Sequence, residues 1–358
     1  GYDAYMSKIT PPAPVTDGRK VAVIGGGPTG MSAAYFVGRA GIPVTLFEKA
    51  DRLGGIVRQV IPAFRISDEA IDKDVALMEK MGVEVKLNTE APSVAELKAQ
   101  GYTHIFFAVG AWKAGRLDIP GNVVPVIGWL RDMKAGKDVS LGHVAVVGGG
   151  NTAMDAARAA LRAGAKSSTL VYRRTKKYMP ADAEELEMAI ADGVEFLELV
   201  APVEQKDGKL ICEKMKLGDP DDKGRRKPVP TGEMVEIPCD TVVSAVGEKV
   251  ESEVFTRNGI TVDEKGIPAF KTNLEGVYAG GDAMRGPATV VEGIADAQYF
   301  ANAVIGEAHK FAIPAKAVAT REEAVAKKGV LCESAKCEGN RCLTCNVVCQ
   351  VCADVCPN

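Results

Sequence analysis

Two stretches of this chain follow one plan. Residues 20–49, KVAVIGGGPTGMSAAYFVGRAGIPVTLFEK, run as an apolar strand, a glycine turn, an amphipathic helix, a glycine stop and a second strand. About 120 residues further on, HVAVVGGGNTAMDAARAALRAGAKSSTLVYRR, beginning at His143, does the same. Each is a βαβ unit, and parallel strands joined through helices sit in sheets covered on both faces. The chain is therefore expected to be α/β, with two Rossmann-like dinucleotide-binding domains.

A third stretch, GVYAGGDAMRGPATVVEGIADAQYFANAVIG (276–306), supplies a short strand, a Gly-Gly-Asp turn and a long helix, the closing elements that the first unit lacks. The first domain is thus expected to be interrupted by the second. The division runs 1–18, a proline-rich arm; 19–135, first part of an FAD domain; 136–249, an inserted NAD(P)H domain; 250–310, second part of the FAD domain; 311–358, a cysteine-rich tail. Between these landmarks the pattern predicts helices in 66–82, 93–101 and 184–193 and strands in 83–87, 104–110, 194–200, 209–217 and 240–247. GDPDDKGRRKPVPTGE (218–233) reads as a surface hairpin loop, because its residues are turn formers and breakers.

A net charge of −3 gives no basic footprint for nucleic acid or an anionic membrane surface, so neither partner is expected. The longest uncharged run, 21–38, carries GGGP in its middle, which suits a strand, turn and helix better than a membrane span. No signal peptide opens the sequence, and its first residue is Gly, so a cytoplasmic piece of a longer chain is expected.

In the first fingerprint Gly25, Gly27 and Gly30 permit a tight turn, close approach to a pyrophosphate and close helix–strand packing. Pro28 follows at the helix start, whose unpaired N–H groups and positive dipole end face the phosphates. Glu48 ends the next strand, where a carboxylate accepts hydrogen bonds from a ribose diol. In the second copy Gly148, Gly150 and Ala153 take the corresponding places, with Asn151 and Thr152 opening the helix. Aligned at Gly41 and Gly164, with two extra residues allowed, Arg173 falls where Glu48 stands and Arg174 follows. A guanidinium pair suits a 2′-phosphate that a carboxylate would repel, so the second site is expected to take NADPH and the first FAD. The plainer reading of Arg173 and Arg174 is a solvated basic pair at a strand end.

GGIVRQVIPAFRI (54–66), AVG (108–110) and GVYAGGDA (276–283) resemble motifs of the glutamate synthase small-subunit family of flavoproteins, to which the first domain of dihydropyrimidine dehydrogenase is also similar. The resemblance covers residues 19–310. It implies that Gly54, Gly55, Gly110, Gly281 and Asp282 lie along the flavin, Asp282 near its ribityl and pyrophosphate part, and that the segment from Ile61 to Arg65 borders the isoalloxazine. A helix beginning near Thr289 and Val290 would aim its positive end at the flavin edge where negative charge grows. Glu292 equally suits plain placement at a helix start. No residue is needed as general acid or base, and His104, His143 and His309 read as isolated surface or core residues. A redox CxxC near the second fingerprint is absent, which disfavours disulfide reduction.

Seven of nine cysteines crowd the last 27 residues: Cys332, Cys337, Cys342, Cys345, Cys349, Cys352 and Cys356. Cys349, Cys352 and Cys356, followed by Pro357, match the last three thiolates and the proline of a bacterial ferredoxin run. The first is displaced, since Asn346 stands where a cysteine is required and Cys345 lies one residue early. One [4Fe–4S] cluster can be fully ligated and a second would lack one ligand; zinc is the rival, though its ribbons separate their CxxC pairs more widely. A reduced flavin holds two electrons that a cluster can carry off singly. With the linker and GRRKPVP, the whole chain resembles the flavin and iron–sulfur subunit of selenate reductases, which implies NADPH oxidation feeding an electron-accepting partner such as a molybdenum enzyme. The alternatives are a glutamate synthase small subunit, a trimmed pyrimidine-reducing enzyme, or a redox sensor without turnover. Arg173→Glu is expected to weaken NADPH use far more than NADH use in steady-state kinetics; equal losses refute the phosphate assignment.

Overall fold

The computed structural model describes residues 8–139, 141–220 and 226–306. Strands β1 (Val21–Ile24), β2 (Val44–Phe47), β3 (Glu84–Lys86) and β4 (His104–Phe107) pair in parallel. Every residue of β1 and β2 is buried, as continuous apolar runs in a sheet covered on both sides must be. The chain leaves this sheet through β5 (Lys113–Ala114). A second parallel sheet follows from β6 (Val123–Pro125), β7 (His143–Gly148), β8 (Ser167–Tyr172) and β9 (Glu195–Glu198). After an antiparallel three-stranded sheet of β10 (Val200–Lys206), β11 (Lys209–Pro220) and β12 (Arg226–Pro238), strand β13 (Thr241–Ala245) inserts between β6 and β7. The chain returns through β14 (Glu248–Lys249), antiparallel to β5, and β15 (Val277–Ala279) pairs with β4. The sheet orders are β15-β4-β1-β2-β3 and β6-β13-β7-β8-β9. This is a mixed α/β, Rossmann-like architecture whose first sheet draws strands from both sides of the second.

Local signals explain the helices. Pro28 opens the helix Pro28–Arg39 where its missing N–H costs nothing. Ser93 and Glu96 form a reciprocal capping box on Val94–Ala99, and Thr289 and Glu292 form another on the long helix Val290–Ile305. That last helix lies along Pro28–Arg39, and its Phe300 stacks on Phe106 of β4 with centroids 4.4 Å apart. Of the proline-rich arm, Val15 is tied down by an N–H bond to the Gly41 carbonyl.

Two expectations need correction. Strand β6 pairs with β13, and Val126, Ile127, Trp129 and Leu130 of the helix Val126–Lys134 are buried in the second core, so residues well before 136 belong to the second sheet. Most of 218–233 is strand rather than loop, since β11 and β12 extend through Pro220 and from Arg226. Pro228 and Pro230 are tolerated because β12 is the outer strand of its sheet. Residues 221–225 and the seven tail cysteines lie outside the described residues. Among the described residues no helix is long and apolar enough to cross a membrane.

Phe300 and Phe106 are both fully buried, so Phe300→Ala is expected to cost about 3–5 kcal/mol in equilibrium denaturation by opening a cavity between the last helix and the first sheet.

Candidate dinucleotide sites

A cavity of ≈ 890 Å³ opens where β1, β2, β4 and β15 end, lined in turn by Gly25–Gly27, Glu48, Val109–Gly110, and Gly280 with Asp282. The strand order reverses between β1 and β4, the crevice where open α/β sheets bind ligands. Glycine is required here by space. A side-chain carbon at Gly25, whose φ is +102°, would lie 2.5 Å from the Ala108 carbonyl oxygen, and one at Gly30 would lie 1.9 Å from that of Gly25. No side chain caps the helix Pro28–Arg39, which leaves its first amides free toward the cavity. Glu48, 8% exposed, accepts from the Gly26 N–H at 2.6 Å and the Ala50 N–H at 2.8 Å, which fixes its carboxylate at the rim. Gly54 and Gly55 both have positive φ, and a carbon added to Gly55 would meet the Gly27 Cα at 2.8 Å, so the two glycine segments touch backbone to backbone.

The opposite wall comes from residues 280–290. Gly281, with φ +64°, packs on the Thr29 side chain, and its N–H donates to Asp296 Oδ2 at 2.9 Å. Asp296, 2% exposed, also holds the Arg285 guanidinium, with Nε at 2.8 Å. Asp282, the next residue along the chain after Gly281, lines the cavity. Burial pushes the Asp282 carboxyl up to about 6, against the Ala288 N–H that it accepts at 3.1 Å, and the nearby Glu292 charge adds to the rise. Thr289 and Val290 line the cavity at the start of Val290–Ile305. Glu292 serves the capping box, accepting from the Thr289 N–H at 3.0 Å, so its plainer role is the one observed.

At the second fingerprint, Gly148 ends β7, and a carbon added there would lie 2.2 Å from the Ala245 carbonyl oxygen. Asn151 and Thr152 open the helix Asn151–Arg162, Ala153 is fully buried against its core, and Gly150 faces open space. Past β8, Arg173 is exposed and Arg174 half-buried. Arg174 Nε is buried without a hydrogen-bond partner, and among the described residues no carboxylate pairs with either guanidinium. The following chain folds back over the turn, where the Ala181 N–H donates to the Gly149 carbonyl at 3.0 Å and the Asp182 N–H to Asn151 Oδ1 at 3.2 Å. None of these residues lines the first cavity.

Arg65, assigned by resemblance to the flavin border, is placed elsewhere. Its Nε donates to Asp155 Oδ1 at 2.7 Å and its Nη1 to Glu185 Oε1 at 2.8 Å, on two helices of the second unit. Gly55, Ile56, Gln59 and Ile61 of the same segment line the cavity, but the Arg65 side chain turns to the other side. One residue was missed: Glu248 of β14. Its Oε1 is buried without a partner, and its carboxyl is raised by burial and by Asp282, with its own backbone N–H and the Thr152 hydroxyl opposing. It directly follows a second AVG, residues 245–247, which repeats the AVG of 108–110 and was the available signal.

Two parallel sheets, each carrying a glycine turn at the C-terminal end of a strand and a differently charged residue at the end of the next, define a two-nucleotide oxidoreductase. Residues 19–297 match the family described as pyridine nucleotide-disulphide oxidoreductase, and the chain belongs to that family of NAD(P)H- and flavin-dependent oxidoreductases. It is 38% identical to YgfK of Escherichia coli (strain K12), an oxidoreductase by name, over 100% of this chain and 37% of that protein. It is 33% identical to the glutamate synthase [NADPH] small chain of Halomonas elongata, over 82% of this chain and 68% of the relative. Among solved structures, FprA of Mycobacterium tuberculosis (His57Gln mutant) superposes with a TM-score of 0.66 at 21% identity, covering 80% of this chain and 84% of that one, a likeness of fold. The chain thus spans little more than a third of YgfK.

The Asp282 carboxyl lies above its ordinary 3.8, so its contribution to stability is fully present below about pH 4 and is lost as pH rises through about 6. Asp282→Asn is expected to flatten that fall and stabilise the cofactor-free protein at pH 7 by on the order of 1–2 kcal/mol, after allowance for partial exposure. Thermal melts between pH 4 and 7 check it; equal slopes for both proteins refute it.

Proposed function

We propose that this chain is the NADPH-oxidising, flavin-reducing part of a longer electron-transfer enzyme. NADPH gives a hydride to FAD, and FAD releases the electrons singly to one or two [4Fe–4S] clusters held by the tail cysteines and on to a partner reductase. The observation that carries this reading is the opposite polarity of the two strand ends: a buried carboxylate fixed at Glu48, and an unpartnered guanidinium nitrogen at Arg174.

Both nucleotides fit the residues present. The first cavity has the volume of a cofactor site and runs from Glu90 and Asn258, past Glu48 and the glycine turn, to Ile61 and Thr289. In this reading Glu48 holds the ribose diol, Gly25–Gly30 and Pro28 let the backbone approach the pyrophosphate, and Gly54, Gly55, Gly110, Gly281 and Asp282 lie along the flavin. Thr289 and Val290 set the positive end of the last helix beside the ring. At the second turn Gly148, Gly150, Asn151, Thr152 and Ala153 face the NADPH pyrophosphate, and Arg173 with Arg174 hold its 2′-phosphate.

The iron–sulfur step and a partner of the selenate reductase or molybdenum class are supported by the cysteine spacing and by the resemblance of the whole chain. A second reading, a glutamate synthase small chain, is favoured by the 33% identity to such a chain over 68% of its length. Cysteines placed in the sequence after Val290–Ile305 favour the first reading.

The visible spectrum of the anaerobically purified full-length enzyme, before and after NADPH, tests the proposal. Flavin bands over a broad iron–sulfur absorbance, both bleached by NADPH and far less by NADH, are expected. A colourless protein overturns it.

A further inference from the structure

We propose that Arg65 couples the two nucleotide sites, by clasping the segment that walls the first cavity to the helices that meet over the second glycine turn. The inference rests on the reading of those sites given above.

Segment 54–66 faces two ways. Gly55, Ile56, Gln59 and Ile61 line the first cavity. Val60, 2% exposed, is part of the second core, and Lys134 Nζ donates to the Ile61 carbonyl at 2.6 Å and the Val57 carbonyl at 3.4 Å. Beyond it the Phe64 ring lies beneath Arg158 and Arg162, whose guanidinium carbons stand 5.0 and 4.6 Å from its centroid. Arg65 completes the attachment with its bonds to Asp155 and Glu185.

The two carboxylates are placed where nucleotide binding would move them. Asp155 lies four residues along the helix from Asn151, hence on the same face as the residue that opens the glycine-turn helix. Glu185 sits in the first turn of the helix Ala183–Ala191, whose preceding residue, Asp182, is hydrogen-bonded to Asn151. Both helices that grip Arg65 therefore start at one junction beside the second glycine turn. The charges around it balance: Arg65, Arg158 and Arg162 face Asp155, Glu185 and Asp192. A guanidinium engaged by two carboxylates holds direction as well as distance, whereas an ammonium holds only the latter.

Amide hydrogen exchange on the flavin-loaded protein, with and without NADP⁺, provides a readout separate from turnover. In the wild type, NADP⁺ is expected to slow exchange in 148–153 and also in 55–66. In Arg65→Ala the protection of 148–153 stays and that of 55–66 is lost, while Arg65→Lys is intermediate. In stopped-flow the Ala variant is expected to transfer hydride at least about tenfold more slowly, with NADPH affinity changed less than about threefold, as misplacement of reacting groups requires. Arg65→Ala leaves Asp155 without its cation, so Arg65→Ala/Asp155→Ala serves if the single variant fails to fold. Retained protection of 55–66, or hydride transfer at the wild-type rate, overturns the coupling. Absence of NADP⁺ protection at 148–153 in the wild type overturns the nucleotide assignment itself.

Discussion

The molecule turns on backbone packed too closely for side chains around residues 25–30. Gly30 closes on the Gly25 carbonyl, Gly25 on Ala108 at the end of β4, Gly55 on Gly27, and Gly281 and Gly293 on the Thr29 hydroxyl. These five approaches join elements separated by as much as 264 positions in the chain, from Thr29 to Gly293. They bring the first strand, the 54–66 segment, the end of β4 and the last helix to one point. The cavity is what is left open beside that point, and its amides face inward because no side chain has been spent on capping the helix there. Bulk at any of these positions would move walls as well as fill space.

What the sequence could reveal follows from how local each signal is. Both βαβ units were legible, because period, glycine turn and strand end lie within about 30 residues of one another. The assignment of β6 was not, since a three-residue strand declares its sheet only through its partner β13, more than 100 residues away. The side of the 54–66 segment from which Arg65 projects was hidden for a related reason. A motif gives neighbours along the chain, whereas the side chain answered to Asp155 and Glu185, 90 and 120 positions on. The pattern cuts β11 short and leaves β12 out because the turn formers and breakers of 218–233 argue for a loop, and nothing local says that β12 lies at an edge.

The carboxyl groups at the first cavity and beside it are handled in three different ways. Glu48 accepts from two backbone amides, Asp296 from a guanidinium and an amide, and Asp282 from a single amide whose effect burial outweighs. Glu248, on the ribbon that joins the two sheets, has an oxygen with no partner at all and feels Asp282 as a second unfavourable neighbour. The groups with least support thus lie along the path between the first cavity and Thr152, while the well-supported ones anchor its walls.

This distribution makes the two sites inequivalent for a nucleotide phosphate. At the first, a 2′-phosphate would meet the Glu48 carboxylate, held in place by two backbone amides and so unable to swing away from the repulsion. At the second it would meet the exposed Arg173 beside the half-buried Arg174, with no carboxylate of the described residues to displace. In the proposed function, two copies of one supersecondary plan would thus take different nucleotides, with the hydride donor held at the sheet that carries Arg174.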